Sequence, residues 1–186
     1  MKKFIVFSSP SGGGKSTFVK KLLADYNNFI LSVSATTRTP RQGEIDGVHY
    51  YFMDRSEFQK MIENGQFIEW EEIFGNYYGT PISEIQKVEN HNKCLLFDID
   101  VKGALSIKTK FPNDSLLFFI APPSIEQLVE RLRKRNTETE EQLAIRLERA
   151  NYEMSFIDKF DHIIINDDLE QAYLQVKSII DANLSS

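Results

Sequence analysis

Lys15 and Ser16 close a run, Ser8-Ser9-Pro10-Ser11-Gly12-Gly13-Gly14-Lys15-Ser16-Thr17, whose composition suits the holding of a phosphate chain. Three successive glycines let the backbone turn its N–H groups inward onto an anion. A helix N-terminus following them adds partial positive charge at the same spot. Lys15 brings a full charge for the outer phosphates, and the Ser16 hydroxyl can ligate Mg²⁺. The pattern G-x-x-x-x-G-K-[ST] is met at Gly14, Lys15 and Ser16 and missed at its first glycine, where Ser9 stands. Far along the chain, Asp98 and Asp100 end an apolar run. An acid there can hold Mg²⁺ directly or through water opposite Ser16, or can simply cap the helix that follows. Arg38 and Arg41, three residues apart, can fork onto one phosphate, with Tyr50 and Tyr78 adding neutral donors. Their distance in sequence from Lys15 implies a second phosphate on a second substrate. A solvated basic loop is the plainer alternative. A third cluster, Arg131, Arg133, Lys134 and Arg135 with Arg146 and Arg149 beyond, reads equally as a solvated helix face or as a lid closing on a moving phosphoryl group.

Positioning these groups requires alternating strands and helices. Phe4-Ile5-Val6-Phe7 reads as a buried strand, and Phe18, Val19, Leu22 and Leu23 are spaced for one helix face. Further strands are expected at 29–33, 95–99, 116–120 and 163–165, with helices between them. Their near-continuous apolar character fits a parallel sheet covered on both faces. The expectation is a doubly wound parallel α/β fold of five strands. Ligands of such sheets lie beyond the strands' carboxyl ends, so Ser8 to Ser16, Ser34, Asp98 to Asp100, and Asn166-Asp167 should share one cleft. Residues 34–81 break the rhythm. They contain a polar loop to 48, a strand at 49–53, a helix over 54–63, and a hairpin turning at Gly75-Asn76. This reads as a small mixed lobe. Ser124 should cap a helix carrying Leu128 and Leu132. Thr137 and Glu140 fit a capping box before another helix, with Leu143, Leu147, Ala150, Met154 and Ile157 as its apolar stripe.

The bulk properties exclude several classes. The chain has 186 residues, 41% hydrophobic and 26% charged, the profile of a globular protein with one core and subdomains. Cys94 is the only cysteine, so a disulfide framework is excluded and a reducing compartment fits. The charge of −5 argues against a protein that binds nucleic acid as a whole. The three histidines lie at no metal-ligand spacing, and the opening Met1-Lys2-Lys3 before a short strand suits neither a signal peptide nor a membrane span. A cytoplasmic location is expected, with no membrane and no obligate protein partner.

Several long segments carry a closer resemblance. Val33-Ser34-Ala35-Thr36-Thr37-Arg38-Thr39-Pro40-Arg41-Gln42-Gly43-Glu44 is one, with Gly47, Tyr50 and Phe52 after it. Tyr78-Gly79-Thr80-Pro81, Asp98-Ile99-Asp100-Val101-Lys102-Gly103-Ala104 and Asn166-Asp167-Asp168 are the others. Together they resemble the signature of guanylate kinase over essentially the whole chain. The departures are Ser9 and Ala35. The resemblance implies transfer of the γ-phosphoryl group of ATP to GMP with Mg²⁺. It implies that Ser11, Gly12, Gly13, Gly14, Lys15, Ser16 and Thr17 hold ATP, with Asn166 and Asp167 beside the adenine. Arg38, Arg41, Tyr50 and Tyr78 would hold the GMP phosphate, and Ser34, Glu69, Thr80 and Asp100 would read the guanine. Arg131, Arg135 and Arg146 match lid arginines, and Ser16 and Asp98 the magnesium side chains. The expected division is a core of 1–33, 82–122 and 158–186, a GMP-binding lobe of 34–81, and a lid with its return helix over 123–157. Two other readings are a non-catalytic guanylate-kinase-like interaction module and a P-loop kinase for another small phosphate, such as a ribose phosphate.

Overall fold

The computed structural model describes residues 2–89, 93–134 and 140–184. Its main sheet is parallel throughout, in the order β2 (Phe29–Leu31), β7 (Cys94–Asp98), β1 (Phe4–Ser8), β8 (Ser115–Ala121), β9 (His162–Ile165). Alternation along β1 shows why these strands are apolar at every position. Ile5 and Phe7 face one side, with Phe18, Leu22, Phe118 and Val176. Phe4 and Val6 face the other, with Leu95, Phe97, Leu117, Phe119 and Ile107. Helices α1 (Lys15–Asp25) and α7 (Leu169–Leu184) cover the first face, and α4 (Val101–Lys110) the second. With both faces closed, no strand position between them can be polar without losing its solvation. The edge strand departs from this: Ile164 is buried, whereas Ile163 and Ile165 are exposed.

The second sheet has four strands in the order β4 (Tyr51–Phe52), β3 (Ala35–Thr36), β6 (Asn76–Pro81), β5 (Phe67–Ile73). Phe58, from α2 (Arg55–Glu63), stacks on Phe67 and Tyr77 beneath it. Three sequence expectations shift here. Ala35–Thr36 is a strand inside what reads as a polar loop, and it is the shared partner of β4 and β6. The strand expected over 49–53 is only Tyr51–Phe52. The hairpin turns at Phe74-Gly75, not Gly75-Asn76, because Ile73 pairs with Asn76. Both turn residues have positive φ, 50° and 77°, the combination a two-residue hairpin needs, so Phe74 adopts a left-handed conformation for the sake of the register.

Glu84, on α3 (Ser83–Glu89), joins the lobe to the core. It is fully buried and accepts from the Val33 N–H at 2.8 Å, the Tyr51 hydroxyl at 2.9 Å and Lys87 at 2.8 Å. The remaining pair, α5 (Ile125–Lys134) and α6 (Glu140–Met154), has its own small core of Leu128, Leu132, Leu143 and Ala150. Ser124 accepts the Gln127 N–H at the start of α5, as expected of a cap. Ile157 lies past the end of α6 in a 3₁₀ turn, and it packs with Met154 against the main core, so the expected single stripe serves two cores. Thr137 of the expected capping box lies outside the described residues.

Candidate active site

The glycine-rich turn joins β1 to α1, as the strand–loop–helix order requires. Gly12 and Gly14 have φ of +91° and +94°, a region that side chains rarely enter. Gly13 is small for a different reason: a Cβ there would lie 2.8 Å from the Ser9 Cβ. Ser9 has no positive φ, is buried, and donates its hydroxyl to the Pro10 carbonyl. The first-glycine position is thus filled by serine without backbone strain.

At the head of α1 the Lys15 ammonium lies 3.3 Å from Asp98 Oδ1, and the Ser16 hydroxyl donates to Asp98 Oδ2 at 2.7 Å. Burial alone would lower the Lys15 pKa; Asp98 and Glu153 outweigh it and hold it above the ordinary value. Asn166, at the end of β9, is buried and donates to the Gly13 carbonyl at 3.0 Å, while its own carbonyl accepts from Arg131 at 2.8 Å. Arg146 donates to the Ser11 hydroxyl at 3.3 Å. A Cβ on Gly12 would lie 3.1 Å from Leu128 and from Leu132, so the helical pair rests directly on the loop. Arg135 lies outside the described residues, and Asp167 is exposed beside Asn166.

The arginine loop is organised by Glu44. Its carboxylate takes the Arg38 guanidinium at 2.8 Å and the Arg41 backbone N–H at 2.6 Å. Those contacts, Arg38 first, hold the Glu44 pKa down at about 2. Arg38 lies over the Tyr50 ring at 5.4 Å, and Tyr50 meets Tyr78 edge-on at 6.2 Å. The Arg41 side chain is exposed, and Ser34 accepts the Tyr51 N–H through its carbonyl. Tyr50 links the two clusters. Burial, then the charge of Asp98, raises its phenol pKa, and Lys15 and Arg38 oppose them. One ring therefore lies in the field of both the glycine-rich loop and the arginine loop.

A third cluster is acidic and buried. Antiparallel pairing sets Glu69 opposite Thr80 and Glu71 opposite Tyr78. Residues two apart on a strand share a face. Thr80 donates to Glu69 Oε1 at 2.6 Å. Burial pushes the Glu69 pKa up to about 7, with Glu71 adding to it and the Thr80 donors and Lys110 opposing. Asp100 caps α4 by accepting the Gly103 N–H at 2.7 Å, so the helix-capping role does occur. It also turns Oδ2 to Arg149 at 3.2 Å. Burial first, then Glu71, raises Asp100 well above the carboxylate range. Burial works against an ionised Glu71 too, but Asp100, Lys102 and Arg149 outweigh it and hold its pKa down. Gly103 leaves room for this: a Cβ there would lie 2.6 Å from Glu69 Oε2.

Glu44, Glu71 and Glu153 were not singled out as site residues by sequence, and Arg149 entered only as the end of the third basic cluster. Only Glu71 carries a local signal, its two-residue spacing from Glu69 on one strand.

For metal binding, Ser16 Oγ and Asp98 Oδ2 offer hard oxygen donors at the head of α1. Among the described residues no group of three or more His, Cys, Asp or Glu could hold a metal, and no helix is long and apolar enough to cross a membrane.

A family model for guanylate kinase matches residues 1–183. A guanylate kinase of Chlorobium chlorochromatii is 52% identical over 178 residues, covering 96% of this chain and 94% of that protein. A guanylate kinase of Schizosaccharomyces pombe is 49% identical over 183 residues, covering 96% and 90%. The crystal structure of guanylate kinase from Anaplasma phagocytophilum superimposes with a TM-score of 0.80 at 34% identity, covering all of this chain and 87% of that one.

Proposed function

The chain belongs to the guanylate kinase family, and on that footing we infer that it transfers the γ-phosphoryl group of ATP to GMP, giving ADP and GDP. The observation that carries the reading to this site is a pair of clusters, Lys15 and Ser16 on Asp98 at the head of α1 and Arg38 between Glu44 and the Tyr50 ring. Two clusters suited to phosphate are what a donor and an acceptor nucleotide require.

The roles follow from the contacts. Gly12, Gly13 and Gly14 present backbone N–H groups to the ATP phosphates, with Ser11 and Thr17 at the loop's flanks. Lys15 neutralises the outer phosphates. Asn166, pinned to Gly13 and to Arg131, sets the wall of the adenine site, and Asp167 flanks it in solvent. Arg38, Arg41, Tyr50 and Tyr78 hold the GMP phosphate. Glu69, Thr80, Asp100 and Ser34 read the base. Guanine offers N1–H and N2–H₂ as donors, which carboxylates accept; adenine carries an acceptor at N1 and would leave a buried carboxylate unpaired. A phosphate oxygen of GMP attacks the γ-phosphorus in line, and the bond to the bridging oxygen of ADP breaks. No covalent intermediate forms, so positioning and charge neutralisation supply the rate. Arg131, Arg135 and Arg146 supply positive charge from the helical lid. Mg²⁺ suits the donors present: Ser16 and, directly or through water, Asp98 would hold it with phosphate oxygens completing its shell, and when bound it would offset charge on the β- and γ-phosphates. The proposed division is a core of 1–33, 82–122 and 158–186, a GMP lobe of 34–81 and a lid over 123–157. A cytoplasmic location is proposed with it, supported by the free thiol of Cys94.

The test is ADP release measured across GMP, AMP, UMP and CMP. GMP should exceed the others in kcat/KM by about 10³- to 10⁴-fold. Equal rates, or ADP formed with a sugar phosphate and not with GMP, would overturn the assignment.

The carboxylates also set a pH dependence. A carboxylate whose pKa is raised is neutral below that pKa, and only its ionised form accepts from guanine on every lone pair. With Glu69 at about 7, kcat/KM for GMP should fall roughly tenfold as pH drops from 8 to 6, because that ratio reports the free enzyme. The same ratio for ATP should fall less. Parallel profiles for the two nucleotides would remove Glu69 from the guanine pocket.

A further inference from the structure

Arg149, on α6, reaches the acidic pocket. Its side chain is 18% exposed, and its guanidinium faces three carboxylates: Glu153 at 3.0 Å, Asp100 at 3.2 Å and Glu71 at 3.6 Å. It also lies over the Phe74 ring at 5.9 Å. Glu153, one turn further along the same face of α6, is buried, and its Oε2 has no hydrogen-bond partner among the described residues. Burial raises the Glu153 pKa, and Arg149, then Lys15, pull it back. Arg149 therefore touches Asp100, assigned above to guanine, while Arg146, one turn before it on the same helix, touches Ser11 of the loop assigned to ATP.

We propose that Arg149 and Glu153 are positioning residues that couple the guanine pocket to the phosphate loop, so that each nucleotide tightens the binding of the other. The physical reason is a shared helix. Guanine donors engage Asp100 while Arg149 holds its Oδ2, which fixes that end of the helix face against the pocket. Phosphates on the loop fix Ser11 and so Arg146 on the same helix, while Glu153 keeps the Arg149 guanidinium aimed at Asp100. Both events hold α6 in one place. Arg146, one turn before Arg149 on α6 and already at Ser11, is then held in place most firmly when both nucleotides are present. Such coupling is reciprocal by thermodynamic necessity.

The inference rests on the assignment of Asp100 to the base, and the experiment separates the two. The affinity of a non-hydrolysable ATP analogue is measured by calorimetry with and without saturating GMP, in the wild type, Arg149→Gln, Arg149→Lys, Glu153→Gln and Asp100→Asn. In the wild type GMP should tighten the analogue by about 5- to 100-fold. In Arg149→Gln and Glu153→Gln that factor should fall to about twofold or less, with melting curves still cooperative and the analogue's affinity without GMP little changed. Arg149→Lys, which keeps the charge and loses the fork, should recover part of the factor. A wild-type factor near one overturns the proposal. So does a full factor in Arg149→Gln, or an affinity lost equally with and without GMP. Unchanged GMP affinity in Asp100→Asn would instead sink the pocket assignment itself.

Discussion

Lys15→Ala is expected to lower kcat by about 10³-fold or more while leaving the protein folded. The reasoning starts from the local balance of charge. Lys15 sits at the head of α1 with Asp98 at 3.3 Å, and Asp98 and Glu153 together hold its pKa above the ordinary value against burial. At neutral pH the ammonium is therefore fully charged, and the stability it contributes would be lost only at strongly alkaline pH. Removing it leaves Asp98 with Ser16 as a donor and Glu153 with Arg149, so neither carboxylate is stranded. The site is partly open to solvent, so the loss of stability should be modest, a shift in Tm of a few degrees at this chain length. The transferring phosphoryl group has no such reserve, because its charge grows on the oxygens that Lys15 faces. Steady-state ADP release and a melting curve on the same preparation check both halves. Turnover like that of the wild type in a folded Lys15→Ala protein would refute the phosphate-loop assignment.

How legible the site was in sequence depends on how local each part is. The phosphate loop, the Asp98 partner and the five parallel strands are each set by a few adjacent residues, and they stand where the pattern puts them. Ser9 shows the limit of a motif: it breaks the consensus, yet its φ is negative and its side chain simply fills the space that Gly13 leaves. The turn of the hairpin slipped by one residue because register is decided by cross-strand pairing, which Gly75 alone does not reveal. Ala35–Thr36 was read as loop because a two-residue strand has no period to detect; it exists through its partners on either side. Arg149 and Glu153 show the same thing in charge. On sequence Arg149 fits a solvated helix face as readily as a lid, and Glu153 carries no signal. In the fold Arg149 also meets Glu71 and Asp100, and burial converts an ordinary i, i+4 pair into a bridge. What could not be read was which polar groups lose their water, and at this site that decides their chemistry.

Glu69→Ala should lower kcat/KM for GMP by about 10²- to 10⁴-fold and leave the KM for ATP within a few-fold of the wild type. Glu69 is 8% exposed, receives the Thr80 hydroxyl at 2.6 Å, and is held against the N-terminus of α4 because residue 103 has no Cβ. A carboxylate so placed cannot swing away to water when the wrong base enters. An adenine N1 lone pair facing its charge is therefore penalised in full. Truncation to alanine removes the acceptor for guanine and also the charge that excludes adenine, so the preference for GMP over AMP should shrink along with the GMP rate. Stability should not fall with it: an ionised Glu69 is disfavoured by burial, with its pKa pushed up to about 7, so at pH 8 its removal relieves a desolvation cost and leaves Thr80 as the one group short of a partner. The measurement is kcat/KM for GMP, AMP and ATP in the variant, with Tm at pH 8 as the control. Unchanged GMP parameters, or a GMP rate lost with the GMP-to-AMP preference intact, would take Glu69 out of base recognition.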